Sequence, residues 1–598
     1  MQLKSQNYTL LSKSELESDD ARTRQRRWSV RGALKWAVLS CIGAGLIIAL
    51  NVVCTRNPAA SFPDIGSRDA CPQYPALQSL SEARTDLERD LTQALRGDAF
   101  LNASLGRLQG AIRIPTESFD DMGRVGEDPR WNVFADFHAY LERTFPLVFT
   151  KLDVAKVNTY GIVITWEGSD DSLKPFLFMA HQDVVPVPDA TVSRWTYDPW
   201  SAHYDGRFVW GRGSSDCKND MIGVLEAFEV LLEKGFTPKR TMLTGFGFDE
   251  EISGWRGAQH IAHHLEEKLG KNSIELIIDE GGLGIIDLYG ATFALPSLGE
   301  KGGLLGPMLT LWHAYMIAGY LDVRITIETA GGHSSVPPDH TGIGILSQII
   351  SAIESKPYSP ELTPKNPFYT TLQCMAEYGT EMDSWLRKTI KKALHSKDAA
   401  QEVADYLADT DVIQRYLLQT SQAVDLVNGG VKVNALPEKV YAVVNHRVAV
   451  ESTVDDIREH LSQLLHDQIL SKFDLSLDAW GQVSGNTSNS AVGKIILEDF
   501  EDPLEPSPVT PLTTDAFRMF AGTIKQVLGE DVIVAPSLMT GNTDTKFYWD
   551  LSENIYRFSP TRNGGAVNAH TVDERVGMRE HVEGVRFYAQ IILNGDES

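Results

Sequence analysis

Short apolar runs alternate along the chain with longer segments of helical periodicity. Residues 176–180, 241–248 and 276–278 are short and almost wholly apolar, which predicts buried strands. Residues 221–234 and 257–269 repeat apolar positions every three or four residues, which predicts helices. This alternation indicates an α/β fold with a mixed, mostly parallel sheet flanked by helices.

Polar residues that can bind metals or transfer protons follow these predicted strands. In an open α/β sheet, ligands bind at the edge where the carboxyl ends of the strands meet. One acidic residue at such a position is more often a helix cap, but here three strand ends and two loops supply carboxylate or imidazole groups. The candidates are His181, Asp183, Asp216, Glu250, Glu251, Asp279 and, far downstream, His570.

The chemical types of these residues suit a centre of two metal ions. Two cations about 3.5 Å apart can hold a water and a substrate carbonyl. Such a centre needs a bridging carboxylate, a carboxylate and an imidazole for each ion, and a free carboxylate as base. The adjacent Glu250 and Glu251 can divide the roles of base and ligand, and Asp183 can orient His181. The sequence therefore predicts an exopeptidase or amidohydrolase with two Zn²⁺ ions.

The N-terminal region predicts a membrane anchor. Residues 36–53 are apolar apart from Ser40 and Asn51, a length at the short end of the range for a membrane-spanning helix. Basic residues concentrate upstream of this run, so the body is expected in a lumen or outside the cell. We expect a type II anchor between a cytosolic tail, residues 1–35, and a stalk, residues 54–88; a cleaved signal peptide is the alternative.

Composition limits the other possibilities. A chain of 598 residues predicts two or more domains, and a net charge of -25 argues against nucleic acid as a partner. None of the five cysteines forms a CxxC pair, so a cysteine zinc site is not expected. A disulfide between Cys54 and Cys71 can form if that stretch lies outside the cytosol. The sequons at Asn102 and Asn486 fit a glycosylated lumenal body.

Seven segments resemble the M20 family of metallopeptidases and, within it, the carboxypeptidase S group of fungal vacuoles. They are MAHQDVVPV at 179–187, GRGSSDCKND at 211–220, GFDEEISGWRGA at 247–258, IIDEGG at 277–282, GGHSSVPP at 331–338, GNTDTKFY at 541–548 and NAHTVDERV at 568–576. The resemblance implies a zinc-exopeptidase-like catalytic domain in two parts, residues 89–319 and 483–598, with a smaller α+β lid or dimerisation domain inserted over 320–482.

The resemblance also implies the role of each candidate. It assigns one zinc to His181, Asp216 and Asp279, and the other to Asp216, Glu251 and His570, so that Asp216 bridges. It makes Glu250 the general base, makes Asp183 the support of His181, and implies a cis peptide bond after Asp216.

Three residues of the lid resemble substrate-contacting positions of the family. His333 is similar to a histidine that stabilises the oxyanion, which in dimeric relatives comes from the other subunit. Asn434 and Arg447 are similar to residues that bind the substrate carboxylate. A homodimer is therefore one expected state of the protein.

Residues 303–319 depart from the family pattern. This apolar insert, GLLGPMLTLWHAYMIAG, separates Glu300-Lys301-Gly302 from the predicted lid strand that starts at Tyr320. Because a surface loop of this composition would expose a large apolar patch, we interpret it as a retained intron; a lineage-specific loop over the lid hinge is the alternative.

The activity expected from these features is that of a metallo-carboxypeptidase that acts on short peptides in an acidic lumen. An N-acyl amino acid hydrolase is the alternative, because its metal chemistry would be the same. A catalytically inactive, membrane-tethered binding protein on the same fold is a third hypothesis, although such a protein should have lost a ligand or the base.

Overall fold

The computed structural model describes residues 70–79, 81–301, 320–488, 492–500 and 502–597. The predicted tail, the predicted anchor and the insert at 303–319 lie outside these residues. Within the described part of the chain, no helix is long and apolar enough to cross a membrane.

Fifteen helices are found in the described residues, and several begin at side chains that cap their first amide groups. Ser81, Asp383 and Thr453 are examples, each accepting a hydrogen bond from the first turn. The helices are α1 Glu82–Leu95, α2 Asp98–Ile112, α3 Val133–Thr144, α4 Pro146–Lys151, α5 Asp189–Val192, α6 Lys218–Glu233, α7 Ala258–Leu269, α8 Gly342–Glu354, α9 Pro367–Tyr378, α10 Ser384–Ala393, α11 Lys397–Thr410, α12 Val412–Leu418, α13 Val454–Leu465, α14 Asp515–Leu528 and α15 Met578–Glu597.

The strands coincide with the apolar runs of the sequence. The predicted runs at 176–180, 241–248 and 276–278 become β3, β6 and β7, and all three are buried along their whole length. The strands are β1 Asp153–Val157, β2 Gly161–Trp166, β3 Phe176–His181, β4 His203–Tyr204, β5 Phe208–Trp210, β6 Met242–Gly247, β7 Leu276–Asp279, β8 Ile285–Leu288, β9 Ala291–Ala294, β10 Ser297–Glu300, β11 Tyr320–Thr329, β12 Gly332–His333, β13 Ser421–Gly429, β14 Ala435–Leu436, β15 Lys439–Arg447, β16 Leu475–Ala479, β17 Gln482–Gly485, β18 Gly493–Asp499, β19 Ile533–Val534, β20 Ser537–Met539, β21 Ile555–Arg557, β22 Ala566–Val567 and β23 Arg575–Gly577.

The main sheet has eight strands in the order β1-β2-β6-β3-β7-β21-β10-β20. Its centre, from β6 through β3 and β7 to β21, is parallel, whereas β1, β2 and the β21–β10 pair are antiparallel. The predicted α/β fold with a mixed sheet is therefore confirmed. Helix α6 is buried on almost all sides between this sheet and α15.

A second, six-stranded sheet forms the lid, with the order β13-β15-β11-β18-β16-β17. Helices α8 and α13 pack against it and close its apolar core. The predicted lid end at residue 482 is too early, because β18 pairs with β11 over Val323–Thr329 and so belongs to the lid sheet. Periodicity could not reveal this pairing between strands so distant in sequence.

Helices α9 to α12 also lie inside the predicted lid, and they contact the catalytic domain through α9. Helix α9 packs on β10 and β20, and the Thr371 hydroxyl donates to the Pro536 carbonyl. The inserted region is therefore a β-sheet lid combined with a helical segment that returns to the main sheet.

The C-terminal part of the predicted stalk, residues 54–88, contains a helix start and makes tertiary contacts. Gln73 exchanges hydrogen bonds with the backbone of Val534 at 2.8 and 3.1 Å, and α1 begins at Glu82. The possible Cys54–Cys71 disulfide is wrong, because Cys71 is bonded to Cys374 on α9, 303 residues away. A disulfide of this kind is typical of proteins that mature in an oxidising compartment.

Candidate metal centre

Three neighbouring strands of the main sheet deliver polar side chains to one edge. His181 is the last residue of β3, Asp279 the last of β7, and Glu250 opens the turn that follows β6. Because β3 pairs in parallel with both β6 and β7, the three carboxyl ends lie side by side.

The first group of potential ligands comprises His181, Asp216, Cys217 and Glu280, whose donor atoms lie within 4.8 Å of one another. His181 Nε2 is 3.2 Å from Asp216 Oδ1 and 3.1 Å from Glu280 Oε1. One imidazole and two carboxylates facing a common point form a donor set that suits Zn²⁺.

The second group comprises Asp216, Glu251 and His570. His570 Nε2 lies 2.9 Å from Asp216 Oδ2 and 3.0 Å from Glu251 Oε2. The two oxygens of Asp216 therefore face different histidines, and Asp216 is common to both groups.

Glu280, and not Asp279, lies with His181 in the first group. The sequence predicted Asp279 at this position, but successive residues at the end of a strand point in opposite directions. The Asp279 side chain is buried and interacts with Thr543, and its Oδ2 atom has no hydrogen-bond partner among the described residues. The motif Asp279-Glu280 offers two carboxylates, and sequence alone gave no means of choosing between them.

Electrostatics favour the presence of cations among these residues. Burial raises the pKa of Glu280 to about 8 and that of Asp279 to about 6, and it raises the pKa of Glu250 well above its ordinary value. Buried carboxylates so close together are held charged at neutral pH only by positive charge nearby. The donor set and its electrostatics therefore fit a pair of divalent ions.

Asp183 organises both strand ends. His181 Nδ1 is 3.3 Å from Asp183 Oδ1 and 2.9 Å from its backbone carbonyl. The carboxylate of Asp183 also accepts the amide hydrogens of Glu250 and Glu251, each at 3.1 Å. One fully buried side chain thus fixes an imidazole of the first group and the backbone that presents both glutamates.

Glu574 is a positioning residue that sequence reasoning missed, although it lies in the quoted NAHTVDERV segment. Its buried carboxylate accepts hydrogen bonds from the amides of Gly213, Ser215 and Asp216 at 3.1, 2.9 and 3.2 Å, and it pairs with Arg212. Glu574 therefore shapes the loop that presents Asp216. The peptide bond after Asp216 is cis, as the resemblance implied.

Cys217 was also not predicted at the site. Its thiol is buried and accepts the amide hydrogen of His181 at 3.2 Å, and burial raises the pKa of this thiol. Cys217 thereby links the start of α6 to the end of β3.

The three predicted lid residues do not lie together. His333 is exposed and bonds to Ser335 at 2.7 Å, and its strand β12 pairs with β14, next to Asn434. Arg447 lies at the opposite end of the lid sheet, where it pairs in register with Tyr320 and faces Asp322 and Asp425. The predicted sequon residues are separate from the site: Asn102 is exposed on α2, and Asn486 follows β17 and bonds to Asp474.

A mixed α/β sheet with two imidazole–carboxylate groups at its carboxyl edge is typical of metallohydrolases. Residues 177–419 match the model of peptidase family M20/M25/M40. Carboxypeptidase S of Saccharomyces cerevisiae is 38% identical over 88% of this chain and 89% of its own length. The chain belongs to the M20 family and is a hydrolase of its carboxypeptidase type.

Two further proteins are similar to this chain. The mouse N-fatty-acyl-amino acid synthase/hydrolase PM20D1 is 30% identical over 82% of this chain and 87% of its own length. The crystal structure of the M20 metallo-carboxypeptidase Sso-CP2 from Sulfolobus solfataricus matches with a TM-score of 0.53 at 17% identity, covering 83% of this chain and 99% of that one. At this identity the second likeness concerns the fold alone.

Proposed function

We propose that this protein is a di-zinc carboxypeptidase that removes the C-terminal residue from short peptides. The observation that carries the proposal is the position of Asp216 between two ligand groups, each of which adds an imidazole and a second carboxylate. His181, Asp216 and Glu280 would hold one ion, and Asp216, Glu251 and His570 the other. The bound ions would supply Lewis acidity, which polarises a carbonyl and lowers the pKa of a water.

Glu250 is the proposed general base. Its carboxylate is buried and interacts electrostatically with His181, Glu280 and Glu251, and its backbone is fixed by the hydrogen bond from its amide to Asp183. Neither ligand group includes Glu250, so its oxygens are available to take a proton from the attacking water and return it to the leaving amine. Asp183 would keep His181 oriented throughout.

Recognition of the substrate carboxylate is proposed for the lid and for the loop at residues 541–545. Arg447 offers a guanidinium, which can contact a carboxylate in bidentate fashion. Asn542 is buried, and its Nδ2 donor has no partner among the described residues. An unpaired buried amide is costly unless a ligand accepts its hydrogens, so we include Asn542 in the substrate site with Asn434 and Arg447.

A second copy of this chain is the proposed partner of the lid. Strand β13 is an edge strand. Its residues Leu426 and Val427 are 49% and 63% exposed, and Val431 and Val433, which follow it, are 102% and 101% exposed. Exposed apolar edges of this kind are normally covered. The ten residues of β11 also place the His333 end of the lid roughly 30 Å from Arg447. His333 and Asn434 would therefore serve the site of the partner copy.

The proposed compartment is an acidic lumen such as the vacuole, reached with an N-terminal type II anchor. The Cys71–Cys374 disulfide and the exposed Asn102 support a secretory route, in which both sequons would be glycosylated.

Hydrolysis assays of the zinc-loaded protein test this proposal. Gly-Leu-type dipeptides and N-acyl amino acids would be compared for wild type and Glu250→Gln, with zinc content measured in both. We expect peptide hydrolysis by wild type and a loss of roughly 10²- to 10⁴-fold in kcat for the variant with its zinc retained.

An N-acyl amino acid hydrolase is the second candidate, favoured by the similarity to the mouse synthase/hydrolase. Exclusive turnover of N-acyl amino acids would establish it in place of the carboxypeptidase. If wild type hydrolysed neither class and the variant behaved identically, the binding-protein hypothesis would replace both.

A further inference from the structure

Glu300 and Arg557 form an ion pair in the interior of the catalytic domain. Both side chains are fully buried, and Arg557 Nε lies 2.8 Å from Glu300 Oε1 while Nη2 lies 2.9 Å from Oε2. Removing two charges from water is costly, so a buried pair by itself does not explain stability. Its contacts indicate a different role.

The pair holds one loop, residues 541–545. Glu300 Oε1 accepts hydrogen bonds from the amide and the hydroxyl of Thr543 at 3.1 and 3.0 Å. The hydroxyl of Thr545 lies 3.2 Å from both oxygens of Glu300, and Arg557 Nη2 donates to it at 2.8 Å. Two of the five loop residues are thus bonded directly to the pair.

The loop in turn contacts both strand ends that carry the candidate metal ligands. Thr543 interacts with Asp279, the neighbour of Glu280. On the other side, Asp544 occupies the space beside Gly247 and Gly254, where its oxygens leave no room for an added Cβ. The loop therefore touches the segments on either side of Glu250 and Glu251 as well as the one that carries Glu280.

Lys301, the next residue after Glu300, contacts the segment that precedes lid strand β13. Its side chain is fully buried, and Nζ donates to the carbonyls of Gln419, at 2.9 Å, and Tyr416. Strand β13 of the lid begins two residues after Gln419, at Ser421. Glu451, which lies shortly after the lid strand β15, interacts electrostatically with Lys301.

We propose that Glu300 and Arg557 are positioning residues that hold the 541–545 loop against the metal centre, and that Lys301 couples this loop to the orientation of the lid. The inference rests on the proposed function, because its first test is a rate of hydrolysis. The adjacent residues Glu300 and Lys301 thus connect the 541–545 loop to the segment that leads into lid strand β13.

Arg557→Lys tests the positioning role, and Arg84→Lys is its matched control. Arg84 forms another buried ion pair, with Asp596 at 2.6 Å, on helices that carry none of the site residues. Each change keeps the charge and loses the fork of the guanidinium. We expect Arg557→Lys to lower kcat/KM by roughly 10- to 100-fold, mainly through KM, with zinc content unchanged. Arg84→Lys should remain within about twofold of wild type. Equal losses of activity in the two variants would overturn the positioning role.

Amide hydrogen exchange tests the same role without any need for activity. We expect faster exchange over residues 541–548 in Arg557→Lys and no change there in Arg84→Lys. If wild type failed to hydrolyse any substrate, the proposed function would have failed, but this measurement would still decide the positioning role. Unchanged exchange in both variants would overturn it.

Lys301→Met tests the coupling to the lid. The change removes the charge and keeps most of the length of the side chain. We expect a higher KM, faster exchange over residues 541–545 as well as 416–420, and a loss in the double variant with Arg557→Lys smaller than the product of the single losses. Faster exchange confined to 416–420, with an unchanged KM, would overturn the coupling.

Discussion

The metal centre and the lid differ in how completely one chain builds them. At the centre, His570 Nε2 lies about 3 Å from carboxylate oxygens of both Asp216 and Glu251, although His570 is 319 residues from Glu251. In the lid, His333 and Asn434 are exposed at one end of the sheet, while Arg447 is half-buried at the other. The candidate metal ligands therefore meet within one copy of the chain, whereas the predicted substrate-binding residues of the lid lie far apart in that same copy.

The largest effect is expected at Asp216, because both ligand groups share it. Asp216→Asn should lower kcat by at least about 10³-fold and reduce the zinc content below one ion per chain. Metal analysis and steady-state kinetics check this result. A variant that kept two zinc ions would contradict a bridging role for Asp216. If activity depended on the lid as much as on the metal ligands, Asp216→Asn would lose no more activity than a variant of the lid.

His333→Ala should have the next largest effect, roughly 10²- to 10³-fold in kcat with zinc retained. Mixing this variant with Glu250→Gln, after dissociation and reassociation, should restore about a quarter of the wild-type activity, because a mixed dimer contains one complete site. A mixture that stayed as inactive as its components would show that His333 acts within its own chain or not at all.

A smaller loss of activity is expected when Glu280 is changed, and matched variants of Glu280 and Asp279 show which of the two binds zinc. Glu280→Gln should lose one zinc ion and roughly 10- to 100-fold in kcat/KM, since it changes a ligand. The matched change Asp279→Asn should keep both ions, because its side chain faces Thr543. Zinc loss in Asp279→Asn alone would return the ligand role to the residue that the sequence predicted.

The smallest effect concerns stability in the lid. Burial lowers the pKa of His446 to about 4 from 6.5, and the ring of Tyr358 packs against both His446 and His460. The unfolded chain then binds the proton first, so stability is full above pH 6.5 and falls by about 3 kcal/mol as the pH drops to 4. Urea unfolding of wild type and His446→Gln at pH 7.5 and 4.5 checks this, with the exposed His263→Gln as control. An equal pH dependence of the unfolding free energy in all three proteins would contradict the role of His446.

The sequence predicted the parts of the site that local pattern can reveal. Strands β3, β6 and β7 are recognisable as apolar runs, and a ligand-binding edge follows from their parallel order. The choice of Glu280 over Asp279 depends on side-chain direction at the end of β7, which periodicity does not resolve. Glu574, although part of a recognised segment, could not be assigned to the Asp216 loop, because its contact with Asp216 spans 358 residues.

Long-range partners were beyond the reach of sequence patterns. Cys71 bonds to Cys374 across 303 residues, and Arg557 pairs with Glu300 across 257. Strand β18 joins the lid only by pairing with β11, so the lid boundary at 482 could not be corrected from the sequence. Each of these depends on tertiary contacts, which neither composition nor spacing specifies.

The most direct test of a centre built around Asp216 is anomalous diffraction at the zinc edge from crystals of the zinc-loaded protein. Two peaks are expected about 3.5 Å apart, each within bonding distance of a different oxygen of Asp216, with Glu280 on one ion and Glu251 on the other. A single peak, or two peaks that do not share Asp216, would contradict the account.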